Sequence, residues 1–177
     1  MRVTPCQLND CLLFAPTRFH DSRGFFQELY RTADYAAAGI NEPLVQDNWS
    51  RSVKGVLRGM HFQRNAPQGK LVSVLRGEIY DVAVDIRPQS ASFGQWQGLL
   101  LSEHNGHQLW LPPGFAHGFL VLSDVADVLY KTSSYYHSSD EGSFRWDDAD
   151  LAINWPAAPS HISDKDASAA LFKDAIA

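Results

Sequence analysis

The stretch GVLRGMHFQRNAPQGKLVSVLRGEIYDVAVD, residues 55–85, decides the fold of this chain. Apolar residues recur in it at every second position, as at Val72 and Val74, and this period is typical of β-strands. Glycines divide it into short runs. A histidine, His61, and several cations lie on these strands, and this arrangement predicts a polar pocket walled by a sheet.

Short strand-like runs continue on both sides of this stretch, separated by turn residues such as Asn105-Gly106. We predict one or two strands in residues 1–16 and a strand after the turn at Asp21–Gly24. Further strands are predicted at 56–63, 71–76, 78–86, 95–101, 107–111, 117–122, 125–132 and 142–146. Many short strands without alternating helices are typical of an all-β sandwich or barrel.

Two short helices are expected outside these strands. Thr32 is a candidate N-cap for an alanine-rich segment, and Gly39 is a candidate stop signal. Residues 163–175 have the composition of a short terminal helix. Residues 45–55 are polar and are predicted to be irregular.

Composition limits the classes of protein to which the chain can belong. Its 177 residues are 45% hydrophobic, which suits one domain, 1–177, with its own core. A formal net charge of −5 without a basic run argues against a nucleic-acid partner, but a small anion needs only a few local cations. No apolar run reaches the roughly 18 residues of a membrane span. With only Cys6 and Cys11 and no apolar leader, we expect free thiols and a cytoplasmic location.

Each candidate catalytic residue has an ordinary structural explanation as well. His61 on a strand can be a core or surface residue, and His117 after a Pro-Pro-Gly turn can bond to backbone. Tyr130 lies on a strand, where most tyrosines pack at the edge of a core. His104 and His107 have a metal-like spacing, but they flank a turn and are expected to face solvent.

The spacing of Arg58 and His61 raises a geometric difficulty. In a regular strand these two positions point to opposite faces of the sheet. Gly59 lies between them and can host a β-bulge, which would bring both side chains to one face. We therefore expect a bulge at this glycine.

Asp166 has a simple interpretation from spacing alone. Ser163-x-x-Asp166 before an apolar run fits a capping box, with Ser163 at the N-cap and Asp166 at the third helical position. Capping is therefore the first hypothesis for this aspartate.

Taken together, eight segments resemble the dTDP-4-dehydrorhamnose 3,5-epimerases. In chain order they are FHDSRGFFQELYR, VQDNWSRSVKGVLRGMHFQ, QGKLV, GEIYDVAVDIR, FGQW, QLWLPPGFAHGF, LYKTSSYY and SDKD. The resemblance spans nearly the whole chain, and the set is specific although each motif alone is weak. It implies a cupin jelly roll and a homodimer. It also implies a cofactor-independent isomerase that converts dTDP-4-dehydro-6-deoxy-D-glucose to dTDP-4-dehydro-L-rhamnose, for L-rhamnose supply to cell-surface polysaccharide.

The cupin resemblance can be tested against metal binding. Metal-dependent cupins carry two histidines in a G-x5-H-x-H motif, a glutamate, and a later histidine. Here His61 and His117 fit, but the second histidine is replaced by Gln63 and the glutamate by Lys70. A protonated lysine repels a cation, so the pattern predicts that no metal is bound.

The resemblance also implies a role for each catalytic position. His61 matches the general base that removes a proton next to the 4-keto group, and Asp166 matches the aspartate that orients it. Tyr130 matches the general acid on the other face of the sugar. Lys70, with Arg58 nearby, would stabilise the developing enolate.

The remaining matched positions are expected to bind the dTDP-4-keto-6-deoxy sugar. Tyr136 matches the aromatic residue that stacks on thymine, and Phe26 is expected to form part of the wall. The substrate-binding positions are Arg23, Phe26, Glu28, Gln46, Asp47, Asn48, Arg58, Lys70, His117, Tyr136, Glu141 and Lys165.

Three alternatives remain open at this point. A sister epimerase that inverts only carbon 3 or carbon 5 in another deoxysugar pathway would share the same His, Asp and Tyr. A non-catalytic nucleotide-sugar-binding cupin would keep the cations but lose His61 or Tyr130. A metal-dependent oxygenase is disfavoured by Gln63 and Lys70.

Overall fold

A computed structural model describes all 177 residues, and most of the secondary structure is β-strand. The strands are β1 (Arg2–Pro5), β2 (Leu12–Ala15), β3 (Arg18–Asp21), β4 (Gly24–Gln27), β5 (Gln46–Val53), β6 (Leu57–Gln63), β7 (Lys70–Arg76), β8 (Glu78–Asp85), β9 (Trp96–Ser102), β10 (Gln108–Leu111), β11 (Phe115–Val121), β12 (Val125–Thr132) and β13 (Glu141–Ser143). The helices are α1 (Thr32–Ala37), α2 (Asp164–Ala167) and α3 (Phe172–Ala175), and a 3₁₀ turn covers Ser138–Asp140. None of these helices is both long and apolar enough to cross a membrane.

The strands form two antiparallel sheets and a separate hairpin. One sheet has the order β1-β2-β10-β7-β12-β5, the other has the order β13-β6-β11-β8-β9, and β3 pairs only with β4. Sheet neighbours that are distant in sequence, such as β5 beside β12, are typical of a jelly roll. The all-β prediction is therefore confirmed.

Apolar side chains fill three layers of the sandwich. Between the sheets, residues such as Val72 and Phe119 form the main core. On the outer face of the six-stranded sheet, Tyr35 of α1 packs with Phe14. On the outer face of the five-stranded sheet, Phe172 of α3 packs with Phe144. The short helices therefore cover the two sheets, and each fully buried Phe or Val contributes about 1.5–3 kcal/mol.

The predicted bulge lies at Gly59. Along the β6–β11 ladder, His117 is paired with His61 but Phe119 is paired with Arg58, so β6 has one extra residue. Partners in a ladder share a face, and Arg58 and His61 therefore both point to the side of the inward-facing His117 and Phe119. The backbone of Gly59 has φ +126°, a conformation that favours glycine.

Residues 45–55 were predicted to be irregular, and this prediction is wrong because they contain β5. This strand lies at the edge of its sheet and pairs only with β12. Its exposed and less exposed residues alternate, but both faces are largely polar. Hydrophobic alternation is therefore absent from the sequence even though the backbone is a strand.

The helix predictions need two corrections. The N-cap of α1 is Arg31 and not Thr32, because Thr32 already lies inside the helix; Gly39 follows the helix with φ +100°, as expected of a stop signal. The terminal segment forms α2 and α3 instead of one helix. Between them, Arg145 N donates to Ala170 O, so the chain there pairs with the end of the sheet.

We predict that Gly59→Ala lowers the free energy of unfolding by about 3 kcal/mol or more. A Cβ at this position would lie 2.6 Å from Gly118 Cα, in addition to the unfavourable φ. Gly39→Ala is the control, because Gly39 also has positive φ but open space around it. That control should cost only about 1 kcal/mol. Urea unfolding measures both, and equal losses would contradict the role of the Gly118 contact.

Candidate active site

Polar side chains replace apolar ones between the sheets where β5, β6, β7 and β12 meet. They line a cleft of about 90 Å³, here called the inner cleft. It is formed by Asn48, His61, Phe62, Gln63, Gln68, Lys70, Tyr130, Tyr136 and Glu141. Both sheets contribute, so a ligand in this cleft is contacted from opposite sides.

A second, larger cleft shares His61 with the inner cleft. It has a volume of about 550 Å³ and is here called the outer cleft. Its lining is Val56, Leu57, Arg58, His61, Ser160, His161, Ile162, Ser163, Lys165 and Asp166. Two side chains of fixed positive charge, Arg58 and Lys165, make it suitable for an anionic group.

His61 and Asp166 form a hydrogen-bonded pair at the boundary of the two clefts. His61 Nε2 lies 2.7 Å from Asp166 Oδ1, and Gly59 N donates to Asp166 Oδ2 over 3.2 Å. Burial raises the pKa of the Asp166 carboxyl. The hydrogen bond and the charge of His61, together with the hydrogen bond from the Gly59 amide, outweigh this effect, so the pKa lies below the ordinary value. Whenever the His61 ring carries a single proton, the hydrogen bond to the anionic Asp166 places that proton on Nε2 and leaves Nδ1 free to act as a base.

Asp166 also takes part in capping α2, but through its backbone amide and not through its carboxylate. Ser163 is the N-cap of α2, and its side chain accepts a hydrogen bond from Asp166 N. The carboxylate of Asp166 binds His61 and Gly59 instead of reaching back to the cap. Capping and histidine pairing therefore coexist, because the first uses the backbone of Asp166 and the second its side chain.

Tyr130 stands on β12 and belongs to the sheet opposite His61. Burial raises the pKa of its hydroxyl, Arg58 opposes that rise, and the charge of Glu141 adds to it. The hydroxyl therefore keeps its proton at neutral pH. The inner cleft thus has a base on one sheet and a proton donor on the other.

Lys70 is a buried cation in the inner cleft. Burial lowers the pKa of its ammonium to about 8, against the attraction of Asp81 and Glu141. Behind it, His117 Nε2 lies 2.8 Å from Asp81 Oδ2, and both of these residues are buried. Lys70 Nζ takes part in no ion pair and in no hydrogen bond within the chain, and Lys70 lines the inner cleft, so its ammonium hydrogens can bind a ligand there.

Two polar residues at the rim of the inner cleft are connected to a lysine of the outer cleft. Tyr136 donates to Glu141 Oε2 over 2.8 Å, and Lys165 forms an ion pair with the same oxygen. Burial raises the pKa of Glu141, but these two hydrogen bonds bring it below its ordinary value. The ionised Glu141 therefore joins the wall of the inner cleft to a cation of the outer cleft.

Six of the twelve predicted substrate-binding residues line neither cleft. Gln46 and His117 lie directly beside the inner cleft, and the other four form contacts elsewhere. Arg23 forms an ion pair with Asp21 in the β3–β4 turn, and Phe26 is 68% exposed on the hairpin. Glu28 and Asp47 form ion pairs with Arg31 and Lys131, respectively. Within one copy of the chain these four residues do not contact the site of His61, and their role stays a prediction.

Sequence reasoning gave no role to Asp81 and treated Gln63 only as a missing metal ligand. Asp81 shares its face of β8 with Ile79 and Ala83, so strand alternation could have placed it between the sheets. The atoms of Gln63 bind backbone groups of neighbouring loops. No cluster of three or more His, Cys, Asp or Glu side chains is arranged to hold a metal ion.

Comparison with known proteins points to one enzyme family. The family model described as dTDP-4-dehydrorhamnose 3,5-epimerase matches residues 5–174. The chain is 47% identical over 177 residues to the dTDP-4-dehydrorhamnose 3,5-epimerase of Shigella flexneri, covering 99% of this chain and 98% of that protein.

Two solved structures show how closely the fold is shared. The first is a dTDP-6-deoxy-D-glucose-3,5-epimerase from Legionella pneumophila in complex with dTDP-4-keto-L-rhamnose, with TM-score 0.94 and 49% identity over 96% of this chain and 92% of that one. The second is a 3'-monoepimerase from Streptomyces bikiniensis in complex with dTDP-quinovose, with TM-score 0.88 and 31% identity over 94% of this chain and 86% of that one.

We predict that Lys70→Met stabilises the protein at pH 7 by about 3 kcal/mol. The pKa of Lys70 falls from 10.5 in the unfolded chain to about 8 in the fold, so the unfolded state binds the extra proton between these values. The loss of folding stability caused by burying the charged ammonium of Lys70 is therefore fully present below pH 8, and it disappears as the pH rises towards 10.5.

Urea unfolding of wild type and Lys70→Met at pH 7 and pH 9.5 tests this prediction. The advantage of the variant should shrink at the higher pH. Lys54→Met, at an exposed lysine, is the matched control and should change stability by less than about 0.5 kcal/mol. A destabilised Lys70→Met at pH 7 would show that the ammonium is not held at a cost in the free protein.

Proposed function

The chain belongs to the dTDP-4-dehydrorhamnose 3,5-epimerase family and is an isomerase, and we propose that His61 and Tyr130 carry out its proton transfers. Its reaction inverts carbons 3 and 5 of dTDP-4-dehydro-6-deoxy-D-glucose, and the product is dTDP-4-dehydro-L-rhamnose. The observation that supports the proposed roles is the arrangement of the inner cleft. It combines a base with one free nitrogen, a protonated phenol from the opposite sheet, and a free ammonium.

The reaction begins with loss of a proton from a carbon next to the 4-keto group. His61 Nδ1 accepts this proton, and Asp166 stabilises the resulting imidazolium through Nε2. The electron pair of the broken C–H bond moves to the keto oxygen and forms an enolate. Lys70 donates a hydrogen bond to that oxygen, because its ammonium has no partner in the protein.

Inversion requires that the proton returns from the other face of the sugar. Tyr130 is on the opposite sheet from His61 and keeps its proton at neutral pH, so it suits this donation. The phenolate and imidazolium then exchange protons with solvent. The same pair of groups acts at the second carbon, because both carbons flank the one keto group that Lys70 contacts.

The nucleotide end of the substrate extends towards the cations and the exposed aromatic residue. Arg58 and Lys165 line the outer cleft and bind the diphosphate oxygens. Tyr136, at the rim, stacks on the thymine ring; its side chain is 48% exposed and hydrogen-bonded to Glu141. Asn48 and Gln46 hold neighbouring positions on β5, and His117 lies behind the sugar.

We further propose that the active form is a homodimer in which the β3–β4 hairpin completes the cleft of the second copy. Arg23 and Phe26 lie on this hairpin and are exposed in one copy of the chain. The edge strand β5 also exposes Trp49 and Val53 on its outer face. Exposed aromatic residues beside an open strand edge suit an interface between two copies.

We assign residues 1–177 to one epimerase domain, since the family match runs through nearly all of them. We place the enzyme in the cytoplasm, where both cysteines would remain the free thiols that they are in the fold. A single-carbon epimerase remains the second candidate, because the similar Streptomyces bikiniensis structure is a 3'-monoepimerase.

Incubation with dTDP-4-dehydro-6-deoxy-D-glucose in deuterated water tests the function directly. Wild type should give L-configured product with deuterium at carbons 3 and 5, read by mass and proton NMR. His61→Ala should abolish both exchange and product while substrate affinity stays within about threefold, because the base is lost but the binding groups remain. Tyr130→Phe should reduce product by at least about 100-fold while exchange continues.

The alternatives predict other labelling patterns. Deuterium at one carbon only would assign the chain to the single-carbon epimerases, and no deuterium would leave a binding protein. Near-normal turnover by His61→Ala would remove the proposed base. Equal loss of exchange and product in Tyr130→Phe would contradict its role as the donor.

Mixing two inactive variants tests the shared site. His61→Ala lacks the base, and the double variant Arg23→Ala/Phe26→Ala lacks the hairpin contacts. In a hybrid dimer, one of the two sites combines an intact His61 from one subunit with an intact hairpin from the other. Random exchange of subunits should therefore restore about a quarter of wild-type activity. Activity equal to the average of the two separate variants would show that the hairpin does not serve the other copy.

A further inference from the structure

Gln63 is a buried residue at the end of β6, two positions after His61, and is only 5% exposed. Its carboxamide uses all of its principal hydrogen-bonding capacity on backbone groups. Nε2 donates to Ala66 O over 3.0 Å and to Tyr135 O over 3.3 Å, and Oε1 accepts from His137 N over 2.6 Å. No polar atom of Gln63 is therefore left for a ligand.

These bonds hold the segment on either side of Tyr136. Tyr135 and His137 flank it, and both are bonded to the same carboxamide. From the other side, Gln46 Oε1 accepts a hydrogen bond from Tyr136 N over 3.1 Å. Two glutamine side chains from two strands therefore fix the backbone of Tyr136, at a place where no strand pairs with it.

The side chain of Tyr136 has little support of its own. It is about half exposed, and its hydroxyl bonds to Glu141. The segment connects β12 to the 3₁₀ turn at Ser138–Asp140, and connecting segments of this kind are usually mobile without such bonds. The carboxamide of Gln63 thus takes the place of a neighbouring strand for this segment.

We propose that Gln63 is a positioning residue for nucleotide recognition, acting through Tyr136. This inference rests on the proposed function, in which Tyr136 stacks on the base of the substrate. Gln63 fixes the aromatic ring before the substrate arrives, so binding does not have to order the segment. Its contribution is to substrate affinity and not to proton transfer.

The chemistry of the position favours a carboxamide. An ionised glutamate would place oxygens against Ala66 O and Tyr135 O, which need donors. A neutral histidine has one N–H and could not serve both carbonyls. Only glutamine donates twice and accepts once with this reach, and so Gln63 supports the segment in a way that the histidine of a metal-binding cupin could not.

The test compares Gln63→Met with wild type by calorimetric titration of dTDP and by steady-state kinetics. We expect the Kd for dTDP and the KM for the sugar nucleotide to rise about tenfold, while kcat changes by less than about threefold. Gln108→Met is the matched control. Gln108 is also a buried strand glutamine with several hydrogen bonds, but it binds Tyr35, Leu29 and Ser73, away from both clefts. The Gln108→Met variant should leave the Kd for dTDP and the KM for the sugar nucleotide unchanged.

A double-mutant cycle with Tyr136→Ala shows whether the effect passes through the tyrosine. The double variant should bind dTDP as weakly as Tyr136→Ala alone, because Gln63 then has no ring to position. Additive losses of affinity, or a fall in kcat as large as the rise in KM, would overturn the proposal.

Gln63→Glu serves if the methionine variant does not fold. Its affinity for dTDP should be low at pH 8 and recover on acidification, because a protonated carboxyl again donates one hydrogen bond. A Gln63→Glu variant with wild-type affinity at pH 8 would also overturn the proposal. Wild type that fails to bind dTDP would instead refute the proposed function, so the two failures are distinguishable.

Discussion

The site depends on the two hydrogen bonds of the Asp166 carboxylate, one with the Gly59 amide and one with His61. The bulge at Gly59 removes that residue from regular pairing, and its amide finds Asp166 Oδ2 instead. The other oxygen fixes the proton of His61. One buried charge therefore satisfies the irregular backbone and sets which nitrogen of the histidine is free. The fold tolerates this charge because both oxygens are hydrogen-bonded.

The interior of the sandwich divides into an apolar part and a charged part. Around Val72 and Phe119 the sheets meet through hydrocarbon, which stabilises the fold. Around Lys70 they enclose charges, and the depressed pKa of this lysine is the sign that the fold bears a cost there. The charged part contributes chemistry at the expense of stability, a relation common to enzyme active sites.

Much of the architecture could be predicted because its signals are local. Alternating apolar residues predict strands such as β7 and β8, and the opposite parity of Arg58 and His61 around a glycine predicts a bulge. The strand β5 was missed, since an edge strand that lines a polar cleft has no hydrophobic period. The resemblance to a family supplied the roles of the site residues, which spacing alone left open.

Other features depend on distant contacts that no local pattern contains. The break between α2 and α3 follows from pairing near Ala170, and the partner of Asp166 is decided by the folded sheets. The exposed hairpin residues Arg23 and Phe26 show a further limit. A sequence can mark them as matched positions, but it does not place them in space, and in one copy of the chain they line neither cleft.

The pair of His61 and Asp166 joins residues 105 positions apart in the chain. Closing so long a loop is entropically unfavourable until the intervening strands have formed. During folding, the histidine therefore gains its partner late, after both sheets are largely assembled. A partly folded chain would leave the imidazole without this partner, so the arrangement that we propose for proton transfer exists only in the completed molecule.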